Sequence, residues 1–252
     1  MPWNPDRYHQ FQAQRSAPFY DLLALVEVRP NLKAVDLGCG TGELTCQLAD
    51  ALPGSDVLGV DSSPQMLERA EANARPGLRF ERGDQAQLTG TWDLIFSNAA
   101  LQWSPDHASL VSHLYARLAP GGQLAVQVPS NYDHISHRLI AETARREPFS
   151  TQLQGWLHRA PVLPIEGYAR LFFELGAESI VVFEKVFPHV LENADAVLDW
   201  ISGTALVPYF ERLEGEKDAF VDALRRQLRT ALPGSPVFYP FKRTFFSARK
   251  PR

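Results

Sequence analysis

The sequence predicts an α/β fold with a parallel, doubly wound sheet, and three observations carry the prediction. Short apolar runs alternate with helical patterns through the first half of the chain. The first run ends in a glycine-rich turn, Asp36-Leu37-Gly38-Cys39-Gly40-Thr41-Gly42, that opens a helix. Polar residues then follow the next three runs in turn, Asp61, Asp84 and Asn98. They stand at the carboxyl ends, where such sheets bind ligands.

Taken in order, Phe19 to Val28 reads as a helix on the spacing of Phe19, Leu22, Leu23, Leu25 and Val26. Lys33 to Leu37 is the first strand. Glu43 to Leu52 is helical, and Pro53-Gly54 stops it. Asp56 to Val60 is the second strand, and Ser63-Pro64 opens the helix after it, with proline at the first position. Leu78 to Glu81 and Asp93 to Phe96 are the third and fourth strands. His107 to Leu118 is a helix closed by Pro120-Gly121-Gly122, and Gln123 to Val128 is the fifth strand. In the second half, Pro129 to Pro164 reads as mostly helical and rich in His and Arg. Ile165 to Leu175 is a core-like helix, Ser179 to Phe187 a strand, Glu192 to Leu232 helical, and Lys242 to Ala248 a last strand. The expected division is a core of 1–130, 164–190 and 240–252, with 131–163 and 191–239 forming a helical lid over the substrate pocket.

A chain of 252 residues suits one such domain with an elaborated cap. The formal net charge of -4 argues against a nucleic-acid partner. Met1 to Arg7 lacks the apolar core of a signal peptide, and no apolar run is long enough to cross a bilayer. A cytoplasmic monomer without a membrane partner is expected. Cys39 and Cys46 are the two cysteines and make no disulfide framework. Cys39 reads as a small residue fitted to its turn.

The glycine turn discriminates between cofactors. A nicotinamide loop wants G-x-G-x-x-G, but Glu43 occupies the place of the third glycine, and Gly42 falls one residue early. An anionic side chain is unfavourable beside a pyrophosphate. The pattern D-x-G-x-G-x-G resembles motif I of the class I S-adenosylmethionine methyltransferases. The resemblance implies a Rossmann-like seven-stranded methyltransferase sheet with helical lid insertions. It also implies S-adenosyl-L-methionine, a cationic sulfonium without phosphates, as cofactor. Asp36, Gly38, Gly40, Thr41 and Gly42 would then surround its methionine part, with Asp36 serving the amino group through the loop. Asp61, 21 residues after Gly40, can accept hydrogen bonds from both ribose hydroxyls. Alone it would read as a helix cap. In the family, the segment with Ser62 and Met66 lies against the adenine, although core packing explains Met66 equally well. Asp84 and Gln85 match the position that accepts from the adenine amino group. Asn98 opens the segment that borders the methyl group.

A narrower resemblance covers nearly the whole chain. Trp3-Asn4-Pro5-x-x-Tyr8-x-x-Phe11 with Gln14-Arg15-Ser16 is similar to the N-terminus of the trans-aconitate 2-methyltransferases. So are Asp93 to His107, Leu124-Ala125-Val126-Gln127-Val128-Pro129, Asp199-Trp200-x-x-x-Thr204-x-Leu206-x-Pro208, and Phe241-Lys242-Arg243-x-Phe245-x-x-Ala248-Arg249. The resemblance implies an O-methyltransferase forming a monomethyl ester of a small polycarboxylic acid such as trans-aconitate. Three positions depart from it: Val207 stands where the family commonly has Arg, and Phe183 and Phe187 replace a Trp and a Tyr.

A carboxylate is already ionised at neutral pH and needs no general base. Positioning then falls to Tyr8 and Trp103 as aromatic walls and to Arg243. The cations expected to hold the acid are Arg243, Lys242 and His189, with Arg15 nearer the cofactor. Arg243 shares a strand face with Phe241 and Phe245, and Lys242 points the other way. Trp200 and Phe245 read as core. His134-x-x-His137 has ligand-like helical spacing but no evident third ligand, so a solvated face and no metal are expected. The alternatives are a methyltransferase for another small acid or a carrier-bound acyl group, which an apolar tunnel would favour, and a cofactor-binding sensor, which would show no turnover.

Overall fold

The strand β1 (Lys33–Leu37) is buried from Ala34 onward, which is why Ala34, Val35 and Leu37 are apolar. It pairs in parallel with β2 (Asp56–Asp61) on one side and with β4 (Trp92–Asn98) on the other. β3 (Leu78–Arg82) flanks β2 and β5 (Leu118–Pro129) flanks β4, both in parallel. β7 (Val237–Arg249) runs antiparallel to β5, and β6 (Glu178–Leu191) lies beyond it, giving the order β3-β2-β1-β4-β5-β7-β6. The order turns back between β1 and β4, the crevice where doubly wound sheets bind ligands. The computed structural model describes residues 12–159 and 161–252, with the side chains of the first helix from Ala17 onward.

The described chain falls into two compact units. One holds the described residues up to Pro129 together with Pro161–Lys185 and Arg243–Arg252; the other holds those of Ser130–Ala160 and Val186–Lys242. The first unit has a continuous core of Val35, Leu37, Ile95, Val111, Leu124, Val126, Tyr168, Phe172 and Phe246. Its helices are α1 (Gln12–Leu23), α2 (Glu43–Ala51), α3 (Pro64–Ala70), α4 (His107–Ala116) and, further along, Ile165–Glu174. Local chemistry sets their starts. Ser63 caps α3 by accepting from Met66 N at 3.4 Å, with Pro64 next. Asp106 caps α4 by accepting from Ser109 N at 3.0 Å.

Three expectations are corrected. α1 lies earlier than the spacing predicts, and its last turn tightens at Leu25 and Val26, whose amides reach back three residues to Leu22 and Leu23. The Gln123 side chain takes over from there, donating to Leu25 O at 2.7 Å and accepting from Glu27 N at 2.9 Å. A strand side chain thus replaces the next helical turn. β5 begins five residues early, at Leu118, and absorbs the glycine turn as a register shift, with Gly121 at φ 72. Finally, the helical readings of the second unit break up. Residues 129–164 contain α5 (Ile135–Ala144) and the single turn α6 (Phe149–Gln152). Residues 192–232 split into α7 (Ala194–Ser202), α8 (Val207–Phe210) and α9 (Lys217–Ala231). Gly203 ends α7, Pro208 lies in the first turn of α8, and Gly215 turns at φ 75 before α9. Phe220, Leu224 and Leu228 of α9 are fully buried, with Phe220 stacked on Tyr209.

Candidate active site

The three loop glycines all have positive φ, 77° at Gly38, 57° at Gly40 and 79° at Gly42, but for different reasons. A Cβ on Gly38 would lie 2.1 Å from Ala100 Cβ, and one on Gly42 would lie 2.8 Å from Phe80 Cζ. A Cβ on Gly40 would meet nothing within 4 Å. The outer glycines let the turn pack; the middle one faces open space. Gly38 N and Cys39 N both donate to Val60 O, at 2.7 and 3.1 Å. Gly40 N donates to Asp61 Oδ2 and Ser63 N to Asp61 Oδ1, each at 2.9 Å. One carboxylate therefore fixes both the loop and the start of α3. Each of its oxygens keeps acceptor capacity for a further donor.

Asp36 is buried beneath this loop and accepts from Thr45 Oγ1 at 2.6 Å. Burial pushes its pKa up to about 6, the Thr45 hydrogen bond works against that, and the charge of Asp61 adds to it. A cation beside the loop would favour the ionised form. With Asp36, Asp61 and Glu43 around it, the loop fits a cationic cofactor and not a pyrophosphate. Burial, and then the same two carboxylates, push the Cys39 thiol up, so it stays protonated and is no nucleophile.

The remaining cofactor candidates lie at neighbouring strand ends. Thr41 O accepts from Asn73 Nδ2 at 3.1 Å. Ser62 is exposed, and so is Met66, which removes core packing as its explanation. Asp84 is exposed and caps a short turn by accepting from Ala86 N at 2.9 Å; Gln85 Nε2 donates to Ser104 Oγ at 2.8 Å. At the end of β4, Asn98 Oδ1 is buried with no hydrogen-bond partner among the described residues. Ala99 follows at φ 56, a conformation that costs a non-glycine residue about 1–3 kcal/mol. Two hydrogen bonds hold it there, Ala99 N to Gln127 O at 2.9 Å and Gln102 Nε2 to Ala99 O at 2.7 Å. Trp103, a little further on, is exposed.

The acid-binding candidates belong to both units. Arg243 is buried in the first unit, and its Nη1 donates to Gln127 Oε1 at 3.0 Å. Phe245 is fully buried and stacks on Phe183 with centroids 5.0 Å apart, so it is core. In the second unit, Lys242 Nζ lies 2.8 Å from Asp133 Oδ2, and that carboxylate answers its charge. His189 is buried there against the rings of Trp200 and Phe241, with centroids 4.9 and 5.7 Å away. Tyr8 lies outside the described residues, and only the backbone of Arg15, in α1, is described. Val207 opens α8.

The expected solvated face at His134 and His137 is corrected. Both residues are half-buried, and burial, with neighbouring His134 and His158, lowers the His137 pKa to about 4. The ring is therefore neutral at pH 7. Among the described residues, no group of three or more His, Cys, Asp or Glu side chains is placed to hold a metal ion. No described helix is long and apolar enough to cross a membrane.

Sequence reasoning missed Gln127. A glutamine within the apolar run Leu124-Ala125-Val126 and Val128 was the available signal, because a buried strand has no general use for an amide. It also missed His107, which bridges Leu101 O at 2.8 Å and Tyr168 Oη at 2.6 Å in the core of the first unit.

Residues 35–124 match the family model described as a methyltransferase domain. The fold is shared with the YcgJ protein of Bacillus subtilis, at TM-score 0.62 and 14% identity over 93% of this chain and 98% of that one. It is shared as well with phosphoethanolamine N-methyltransferase 2 of Haemonchus contortus in complex with S-adenosyl-L-methionine, at TM-score 0.55 and 19% identity over 96% of this chain and 53% of that one. Fold and site together define a Rossmann-like methyltransferase that uses S-adenosyl-L-methionine. The trans-aconitate 2-methyltransferase of Deinococcus radiodurans is 50% identical over 100% of this chain and 99% of its own length. That of Streptomyces coelicolor is 43% identical over 99% of this chain and 87% of its own. The chain belongs to the trans-aconitate 2-methyltransferase family.

Proposed function

We propose that the chain methylates one carboxylate of trans-aconitate, giving a monomethyl ester and S-adenosylhomocysteine. The observation that carries this reading is the 50% identity to a relative of that name along the entire chain, glycine loop and β7 included. The cofactor supplies an electrophilic methyl group on a sulfonium; the rest falls to the residues of this chain. Gly38, Gly40, Thr41 and Gly42 receive the methionine part, with Asp36 beneath them. Asp61 accepts from the ribose, and Ser62, Met66, Asp84 and Gln85 border the adenine. Asn98 and the strained Ala99 frame the methyl side, with Trp103 as a wall. Arg243 holds a carboxylate that does not react, through the paired hydrogen bonds a guanidinium can make.

The reacting carboxylate is ionised near neutrality, so no side chain has to remove a proton. Its negative charge and the sulfonium's positive charge cancel as the new C–O bond forms and the C–S bond breaks. Weak, oriented polarity suits that centre, and the rate comes from alignment and exclusion of water.

Val207, standing where the family commonly has Arg, favours a second reading in which a different small acid is the substrate. Incubation with isotopically labelled cofactor and a panel of small acids, scored by product mass, separates the two. Trans-aconitate should gain one methyl group faster than any other acid. A faster product from another acid, or none from any, overturns the proposal.

A further inference from the structure

Gln127 has an amide whose two ends are used unequally. Its side chain is fully buried in β5, and its Oε1 accepts from Arg243 Nη1 at 3.0 Å. Arginine has only donors, so the amide oxygen must face the guanidinium and Nε2 must turn away from it. Nε2 is buried with no hydrogen-bond partner among the described residues. A residue present only to fill the sheet would be apolar, since an amide donor buried without an acceptor is destabilising. The position adds to the argument. Gln127 is the register partner of Asn98 on β4 and of Phe245 on β7, and its own carbonyl holds the strained Ala99. One residue therefore touches both the segment assigned to the methyl group and the cation assigned to the acid.

We propose that Gln127 is a specificity residue of the acid site: its Nε2 donates to a spectator carboxylate while its Oε1 fixes the guanidinium of Arg243, so that both groups grip that carboxylate. The inference rests on the proposed function and extends it to a residue whose neutrality matters. A glutamate here would keep the hydrogen bond to Arg243 but would set an anion against the incoming acid.

Two variants and four acids test this. Gln127→Glu keeps shape and the acceptor for Arg243 but loses the donor; Gln127→Met keeps length and loses both functions. Kinetics are measured at saturating cofactor on trans-aconitate and on glutaconate, itaconate and mesaconate, each of which lacks a different one of its three carboxylates. Thermal unfolding and calorimetric cofactor titration accompany them. The KM for trans-aconitate should rise about a hundredfold in Gln127→Glu, from like-charge juxtaposition. It should rise about tenfold in Gln127→Met, from one lost hydrogen bond. In both, kcat should stay within about threefold, and cofactor affinity should be unchanged. The penalty should vanish on the dicarboxylate that lacks the group Gln127 reads, which closes a chemical double-mutant cycle. Equal penalties on all four acids, loss of cofactor affinity, failure of both variants to fold, or variants that match wild type on trans-aconitate would overturn the assignment and leave the proposed function standing. A wild-type protein that methylates none of the four acids overturns both.

Discussion

The two ends of the ligand-binding edge treat their polar groups differently. At the glycine-loop end, Asp61 accepts from Gly40 N and Ser63 N, and Asp36 accepts from Thr45. At the β4–β5 end, Asn98 Oδ1 and Gln127 Nε2 are buried without hydrogen-bond partners among the described residues, and Ala99 is held in a strained conformation. The first end is braced by its own hydrogen bonds and needs a ligand only to answer charge. The second has a donor and an acceptor that no described residue satisfies and that a ligand could answer. A cofactor common to many chemistries suits a stiff cradle, and discrimination among acids suits groups whose satisfaction depends on the right ligand.

The largest effect should come from breaking the brace. Gly38→Ala places a Cβ 2.1 Å from Ala100 Cβ at a positive φ and should lower stability by about 3 kcal/mol, read by denaturant unfolding. Gly40→Ala sharpens the contrast. Its Cβ meets nothing within 4 Å, so the fold should lose only about 1 kcal/mol, while the cofactor Kd, read by calorimetry, rises about tenfold or more because the new methyl stands where the ligand approaches. Equal stability losses in the two variants would mean that Gly40, too, serves packing.

A smaller effect concerns Asp36. Its folded pKa, about 6, lies above the 3.8 of a free aspartate. The stability it contributes is present in full below the lower value and is lost as pH rises through about 6. A cofactor ammonium near the loop would favour the ionised form, so cofactor binding should strengthen as pH rises through that range. Asp36→Asn should flatten that dependence. A Kd independent of pH in the wild-type protein would remove Asp36 from the cofactor's field. The smallest effect belongs to Lys242, paired with Asp133: Lys242→Met should change the KM for trans-aconitate by less than about threefold, against tens-fold for Arg243→Leu. Comparable losses would place Lys242 in the acid site.

The contrast between the two ends also explains what the sequence could reveal. Loop, strand and carboxylate lie within a few tens of residues at the glycine end, so the tight turn at Gly38 and Gly42 and the strand end at Asp61 could be read from spacing, and the parallel sheet followed from alternation. Gln127 and Arg243 are 116 positions apart, and nothing local pairs them until β7 lies against β5. The same limit moved α1, whose end depends on Gln123, some hundred positions on. In the second unit, glycines and prolines were visible in the sequence. Periodicity ran across them because apolar residues recur at helical spacing on both sides of Gly203 and Gly215.

The central claim is that methyl transfer here relies on positioning an already ionised oxygen. The direct test is the pH dependence of kcat on trans-aconitate at saturating cofactor and acid. The account predicts a rate that is flat from about pH 6.5 to 8.5, falling only at low pH as the substrate's own carboxylates take up protons, with the same profile in a His137→Gln protein. A limb rising through neutrality that one histidine substitution abolishes would contradict it.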